Sequence, residues 1–328
     1  MPDNKYTYDG SYKPDFYSAD YIPSYKAKYN SEILSSPQKI YDYLSKRVYG
    51  QEEYKKAIST FIYKALKGIN SEKVILVASE SGTGKSYLIS VLSEIVPHME
   101  VADGSSMTAS GYKGSNHVTS ILSKVHTKDN TPSFIIIDEF NRLVSRGVSS
   151  WSDTGLLAEL LVLFDDKDAQ INAGTEDKPC WVNPKNIFFI LLGSFSDITD
   201  QKKSNPIGFN ADIDRTERAH RRQITKEQIL KRLEQWPELV GRINRIIIND
   251  NLSESDYFKM LKNPNYSPIS KLEMELGIEL KVTHKKMRQW AKEAYESGTG
   301  FRYVKNGLLE IVDDAMMKDA EVKSISIR

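Results

Sequence analysis

Apolar residues recur along this chain with two different periods. From residue 36 the spacing is helical. "SSPQKIYDYLSKRV" predicts a first helix, with Ser36 able to cap it and Pro37 suited to its first position. "QEEYKKAISTFIYKALKG" predicts a second, with Ala57, Ile58, Phe61, Ile62, Ala65 and Leu66 at helical spacing. The period then changes. "KVILVA" (73–78), "SFIIIDEF" (133–140) and "NIFFILLGS" (186–194) are short continuous apolar runs, the pattern of buried parallel strands. Helical stretches such as "GLLAELLVLF" (155–164) separate them. This alternation predicts an α/β fold, a parallel sheet covered by helices on both faces.

After about residue 253 the pattern changes again. "ESDYFKMLKNPNYSPISKLEMELG" and "HKKMRQWAKEAYES" predict helices, "IELKV" (278–282) a strand and "GLLEIVDDAMMKDA" (307–320) a last helix. The expected organisation is a large domain over 36–253 and a small, mainly helical α+β domain over 254–328. Residues 1–35 stand apart. They carry seven tyrosines among Pro, Ser, Asp and Lys, with too little Val, Ile or Leu for a core. They read either as a solvated extension or as an arm that docks on another surface.

Composition narrows the function classes. The 45 Lys and Arg nearly cancel the 44 Asp and Glu, leaving +1, which disfavours nucleic acid as the partner. A single cysteine, Cys180, excludes an intrachain disulfide framework and a cysteine zinc cluster. The N-terminus lacks a signal pattern, and no apolar run reaches the roughly 18–20 residues of a membrane span. The expectation is a cytoplasmic chain with no membrane partner.

"SESGTGKS" (79–86) follows a predicted strand and opens a predicted helix, the context in which a phosphate loop has meaning. Gly82 and Gly84 let the backbone curl around phosphate oxygens, flanked by Ser81 and Thr83, and the helix N-terminus adds a favourable dipole. Lys85 is expected to reach the β- and γ-phosphates of ATP, and the Ser86 hydroxyl to bind Mg²⁺. Ser79 stands where the pattern has its first glycine. "IIIDEF" ends a strand with Asp138, expected to hold the Mg²⁺ shell, and Glu139, expected to polarise the attacking water. Taken without the phosphate loop, such a pair is equally an exposed acidic strand end.

With these motifs the sequence resembles an AAA+ ATPase, and more narrowly the ClpX unfoldase family, over roughly residues 36–325. "SPQKIYDYLSKRVYGQEEYKKAI" is similar to the family's opening, which implies that Val48, Tyr49, Gly50 and Gln51 help wall the adenine site, with Tyr87 nearby. "WPELVGRI" (236–243) is similar to the segment carrying the arginine finger, here Arg242, and "SGTGFRYV" (297–304) to the sensor-2 segment, here Arg302. Ser194 falls near the sensor-1 position. A finger acts on a neighbouring subunit's nucleotide, so the resemblance implies a ring homohexamer. "ASGYKGSN" (109–116) resembles the family's pore loop, which implies that Tyr112 grips an unfolded polypeptide, with Lys113 in place of the family's apolar residue and expected to alter the grip or the choice of substrate. A second pore loop is expected over 145–155, where Trp151 either contacts substrate or packs against the ring interior. Ile207, Gly208 and Phe209 match the tripeptide by which the family docks on a ClpP-type peptidase, though such tips can be retained without use.

Two further departures concern whole segments. The family's N-terminal zinc-binding domain is missing, and "INAGTEDKPCWVNPKN" lacks the basic cluster of the pore entrance. The implied function is an ATP-dependent unfoldase that threads polypeptides, feeding a peptidase. A protease-independent remodeller and an AAA+ motor acting on nucleic acid are the alternatives.

Overall fold

The computed structural model describes residues 31–109, 116–125, 131–145, 151–165, 170–174, 177–196, 198 and 224–328. The tyrosine-rich arm up to residue 30, Tyr112, Lys113, Ile207, Gly208 and Phe209 lie outside the described residues. The end of the arm expected over 1–35 is part of the fold instead. Ile33–Ser35 form one 3-10 turn, and Leu34 is buried.

A five-stranded parallel sheet forms the centre, in the order β2-β5-β8-β1-β9. Its strands are β1 (Val74–Ser79), β2 (Met99–Asp103), β5 (Ser133–Asp138), β8 (Ile187–Ser194) and β9 (Arg245–Ile248). Two-residue strands fill the gaps in numbering: β3 (Met107–Thr108) pairs with β4 (Asn116–His117), and β6 (Ile171–Asn172) with β7 (Trp181–Val182). The three apolar runs form the three inner strands, β5, β8 and β1, because both of their faces are covered. Alternate residues enter two separate cores. Leu76, Ile135 and Leu191 belong to one, and Val77, Ile136 and Ile190 to the other. Each such side chain contributes about 1.5–3 kcal/mol on burial.

On one face lie α1 (Pro37–Ser45), α2 (Glu52–Leu66) and α3 (Lys85–Ser93). As expected, Ser36 caps α1, accepting from Lys39 N at 3.2 Å, and Pro37 takes the first helical position. On the other face lie α4 (Val118–Val125), α5 (Phe140–Ser145) and α6 (Trp151–Phe164). The start of α6 corrects the loop expected over 145–155: Trp151 opens a helix.

The C-terminal part has its own core around Trp290, Ala294, Val304, Leu308 and Val312. Helices Glu254–Lys262, Pro268–Leu276 and His284–Ser297 begin at hydrogen-bonding caps Ser253, Ser267 and Thr283. The last helix spans Phe301–Lys318, beginning before the expected 307–320, so Arg302 lies in its first turn. The expected strand is β10 (Glu279–Val282), which pairs in parallel with β11 (Ser324–Ile327), a strand the sequence pattern missed. Among the described residues no helix is long and apolar enough to cross a membrane.

Candidate nucleotide site

The phosphate loop leaves the end of β1 and enters α3 at Lys85. Gly82 and Gly84 take φ of +76° and +88°, which an L side chain resists. Ser79, where the pattern has glycine, is the last residue of β1 and pairs with Ser194 of β8. Strand geometry places no special demand on that position, so serine fits. Its hydroxyl joins the site, accepting from Lys85 Nζ at 2.6 Å and sharing a hydrogen bond with Thr83 Oγ1 at 2.7 Å.

Lys85 Nζ also donates to Glu80 O at 2.9 Å and Ser194 Oγ at 3.1 Å. All three acceptors are uncharged. Burial pushes the ammonium down to about 8, with Asp138 opposing the shift and Arg302 adding to it. Ser86 Oγ donates to Asp138 Oδ2 at 2.6 Å, so the expected metal-binding pair is in contact. Asp138 Oδ1 accepts from the backbone N–H of Glu139 at 2.8 Å. Glu139 has a φ of +52°, a left-handed conformation costing about 1–2 kcal/mol for a residue with a side chain. Its carboxylate pairs with Arg142 at 2.7 Å.

The loop is also held from behind. Thr83 O accepts from Gln51 Nε2 at 3.1 Å and from Asn249 Nδ2 at 3.4 Å. Gln51 is buried, with a φ of +60°, and its amide exchanges two hydrogen bonds of 3.0 Å with the backbone of Asp250. Its side chain thus braces the phosphate loop, and Gln51 also lines the cleft beside Val48 and Tyr49. Asn249 escaped sequence reading because β9, which places it, is four residues long and sits at the sheet edge.

One cleft collects most of the expected residues. Ser81, Gly82, Thr83, Gly84, Lys85, Ser86 and Tyr87 line it with Val48, Tyr49, Asp138, Glu139 and Ser194. The C-terminal part closes the far side with Tyr257, Lys271, Phe301 and Arg302. The two parts touch backbone to backbone at the loop. A Cβ on Gly300 would lie 2.6 Å from Gly82 O, and the φ of Gly300 is +61°. Arg242 does not line this cleft. It ends the helix Pro237–Arg242, where its guanidinium pairs with Asp165 at 2.7 Å, a hydrogen bond that raises its pKa.

A P-loop after the first strand, an Asp–Glu pair ending β5 and a helical part closing the cleft define an AAA+ ATPase. Residues 75–203 match the model of the ATPase family associated with various cellular activities, so the chain carries an AAA domain. Beyond that domain it is similar to ClpX, the ATP-binding subunit of the ATP-dependent Clp protease. Identity to ClpX 2 of Wolinella succinogenes is 27%, covering 87% of this chain and 77% of the relative. For ClpX of Treponema denticola it is 26%, covering 92% and 82%, and for that of Borrelia duttonii 26%, covering 89% and 76%. The chain carries an AAA ATPase domain and is similar to ClpX over most of its length, as the motifs indicated.

Proposed function

We propose that the chain is an ATP-driven protein unfoldase and translocase, working as a ring homohexamer and feeding a ClpP-type peptidase. The observation that carries this reading is the reach of the similarity. It runs through the C-terminal helical part as well as the AAA domain, over 87–92% of the chain.

The cleft suits ATP. The first N–H groups of α3 have no intrahelical partner and form the positive end of the helix dipole, which favours an anion. Among the described residues the Lys85 ammonium has only neutral acceptors at hydrogen-bond distance, so a phosphate completes its environment. Ser86 and Asp138 form a hard oxygen pair of the kind magnesium prefers, and they would hold Mg²⁺. When bound, the ion offsets charge on the β- and γ-phosphates. Glu139 orients the attacking water and takes up its proton. Arg302, carried by the C-terminal part, stabilises the phosphate end from the opposite wall. Arg242, outside the cleft of its own chain, serves the neighbour's nucleotide, so one chain does not complete its own site.

In this reading Tyr112, beside Lys113, grips polypeptide in the pore, Trp151 lies near a second contact, and Ile207, Gly208 and Phe209 dock the peptidase. The test is ATP-dependent unfolding of a tagged fluorescent protein. Tyr112→Ala is expected to keep ATP hydrolysis and lose unfolding, and equal unfolding rates would remove the pore assignment. Capture of a peptidase that is lost in Phe209→Ala supports the protease reading. Unfolding without any capture leaves a protease-independent remodeller, and ATP hydrolysis stimulated by DNA points to the nucleic-acid motor.

A further inference from the structure

The cleft holds a second lysine, half-buried, that no motif assigns. The helix Pro268–Leu276 brings Lys271 across from the C-terminal part onto α3. We propose that Lys271 is a nucleotide-contacting residue, donating to the sugar or α-phosphate of bound ATP. The inference rests on the reading of this cleft as the ATP site.

Position gives the first argument. Tyr87 follows Ser86, so its ring starts beside the phosphate cradle, and its hydroxyl donates to Arg47 O at 3.3 Å. The ring therefore runs from the phosphate end to the wall formed by Arg47, Val48 and Tyr49. The Lys271 ammonium lies 4.1 Å from the centre of that ring and donates to its hydroxyl. A nucleotide with its phosphates on the loop and its base against Val48 and Tyr49 places its sugar in the same stretch.

Electrostatics gives the second. Among the described residues no carboxylate comes within ion-pair distance of Lys271. Glu94 acts on it only at longer range, and that carboxylate already accepts from Tyr43 Oη at 2.5 Å and pairs with Arg47 at 3.6 Å. Burial holds the Lys271 ammonium at about 8, the same as Lys85. The two lysines thus share a cleft and uncharged partners, oxygens for the buried Lys85 and the Tyr87 ring and hydroxyl for the half-buried Lys271. A desolvated cation in that state is stabilised by an anion. For Lys85 the motif says that the anion is phosphate. For Lys271 the nucleotide is the anion that the same cleft admits.

The experiment is calorimetry of ATP, ADP, AMP and adenosine with the full chain and its variants. Lys271→Met is expected to weaken ATP, ADP and AMP about tenfold each, the scale of one lost charge-assisted hydrogen bond. Lys271→Arg is expected to restore most of that loss. Lys271→Gln, which keeps a donor toward Tyr87 and guards against misfolding, is expected to lose as much as Lys271→Met. Undiminished adenosine affinity assigns the contact to the α-phosphate, and a parallel loss assigns it to the sugar. Unchanged affinities, or a loss confined to ATP, overturn the proposal. Failure of the unmodified chain to bind ATP, or undiminished binding in Lys85→Ala, removes the ATP site itself.

Discussion

The two walls of the cleft are built on different principles. The α/β wall places its groups at the ends of inner strands, where β1, β5 and β8 deliver Ser79, Asp138 and Ser194 side by side. Those strands are buried on both faces, so the groups they carry have little freedom. The C-terminal wall rides on a separate core around Trp290 and Leu308 and presents Lys271 and Arg302 from helices. It meets the phosphate loop at a glycine-on-glycine contact, Gly82 against Gly300. In the proposed reading the first wall carries the hydrolytic groups, and the second adds cations and sets how closely the site is shut.

That division is open to test, beginning with the largest effect. Glu139→Gln changes only the α/β wall. It is expected to keep ATP binding and cut steady-state hydrolysis by roughly 10²–10⁴-fold, the usual share of a general base. Normal turnover would remove Glu139 from its role. Gly300→Ala changes only the closure. Its Cβ would stand 2.6 Å from Gly82 O at a φ of +61°, so the C-terminal wall must back away from the loop. The expectation is a loss of ATP affinity on the order of tenfold, with the fold of the α/β part intact. Calorimetry beside circular dichroism reads both. Wild-type affinity would show that the walls need not touch.

The smallest effect is the pH dependence, which involves both walls. Lys85 and Lys271 each sit at about 8, lowered by burial, and phosphate binds their ammonium forms. ATP affinity is therefore expected to be near full at about pH 7 and below and to decline as the pH rises through 8, by several-fold or more between pH 7 and 9. A flat profile over that range would contradict the environment assigned to both lysines.

The α/β wall was the more legible in the sequence, for a physical reason. Its chemistry is local: residues 79–86 and 138–139 each lie within one strand-to-loop junction, and the strands announce themselves as apolar runs. The helix starts at Trp151 and Phe301 were misplaced because polar or glycine-rich neighbours hide the period there. The strands β9, at the edge of the large sheet, and β11, which pairs with β10, also went unread. The roles of Gln51, Asn249 and Lys271 arise from contacts with residues distant in the chain. Gln51 meets Asp250, and Lys271 meets Tyr87. No local spacing encodes them. Whether Ser79 was a defect or a fit depended on its backbone, which only the strand geometry reveals.

The brace behind the phosphate loop has a mechanical consequence. Thr83 O is shared by Gln51 and Asn249, and Gln51 grips Asp250, which lies three residues before the cap of the first C-terminal helix. Those short links tie the phosphate loop and the approach to the C-terminal helices to one carbonyl oxygen. A push delivered to the loop by an arriving phosphate, and a load returning through the C-terminal helices, bear on that same atom.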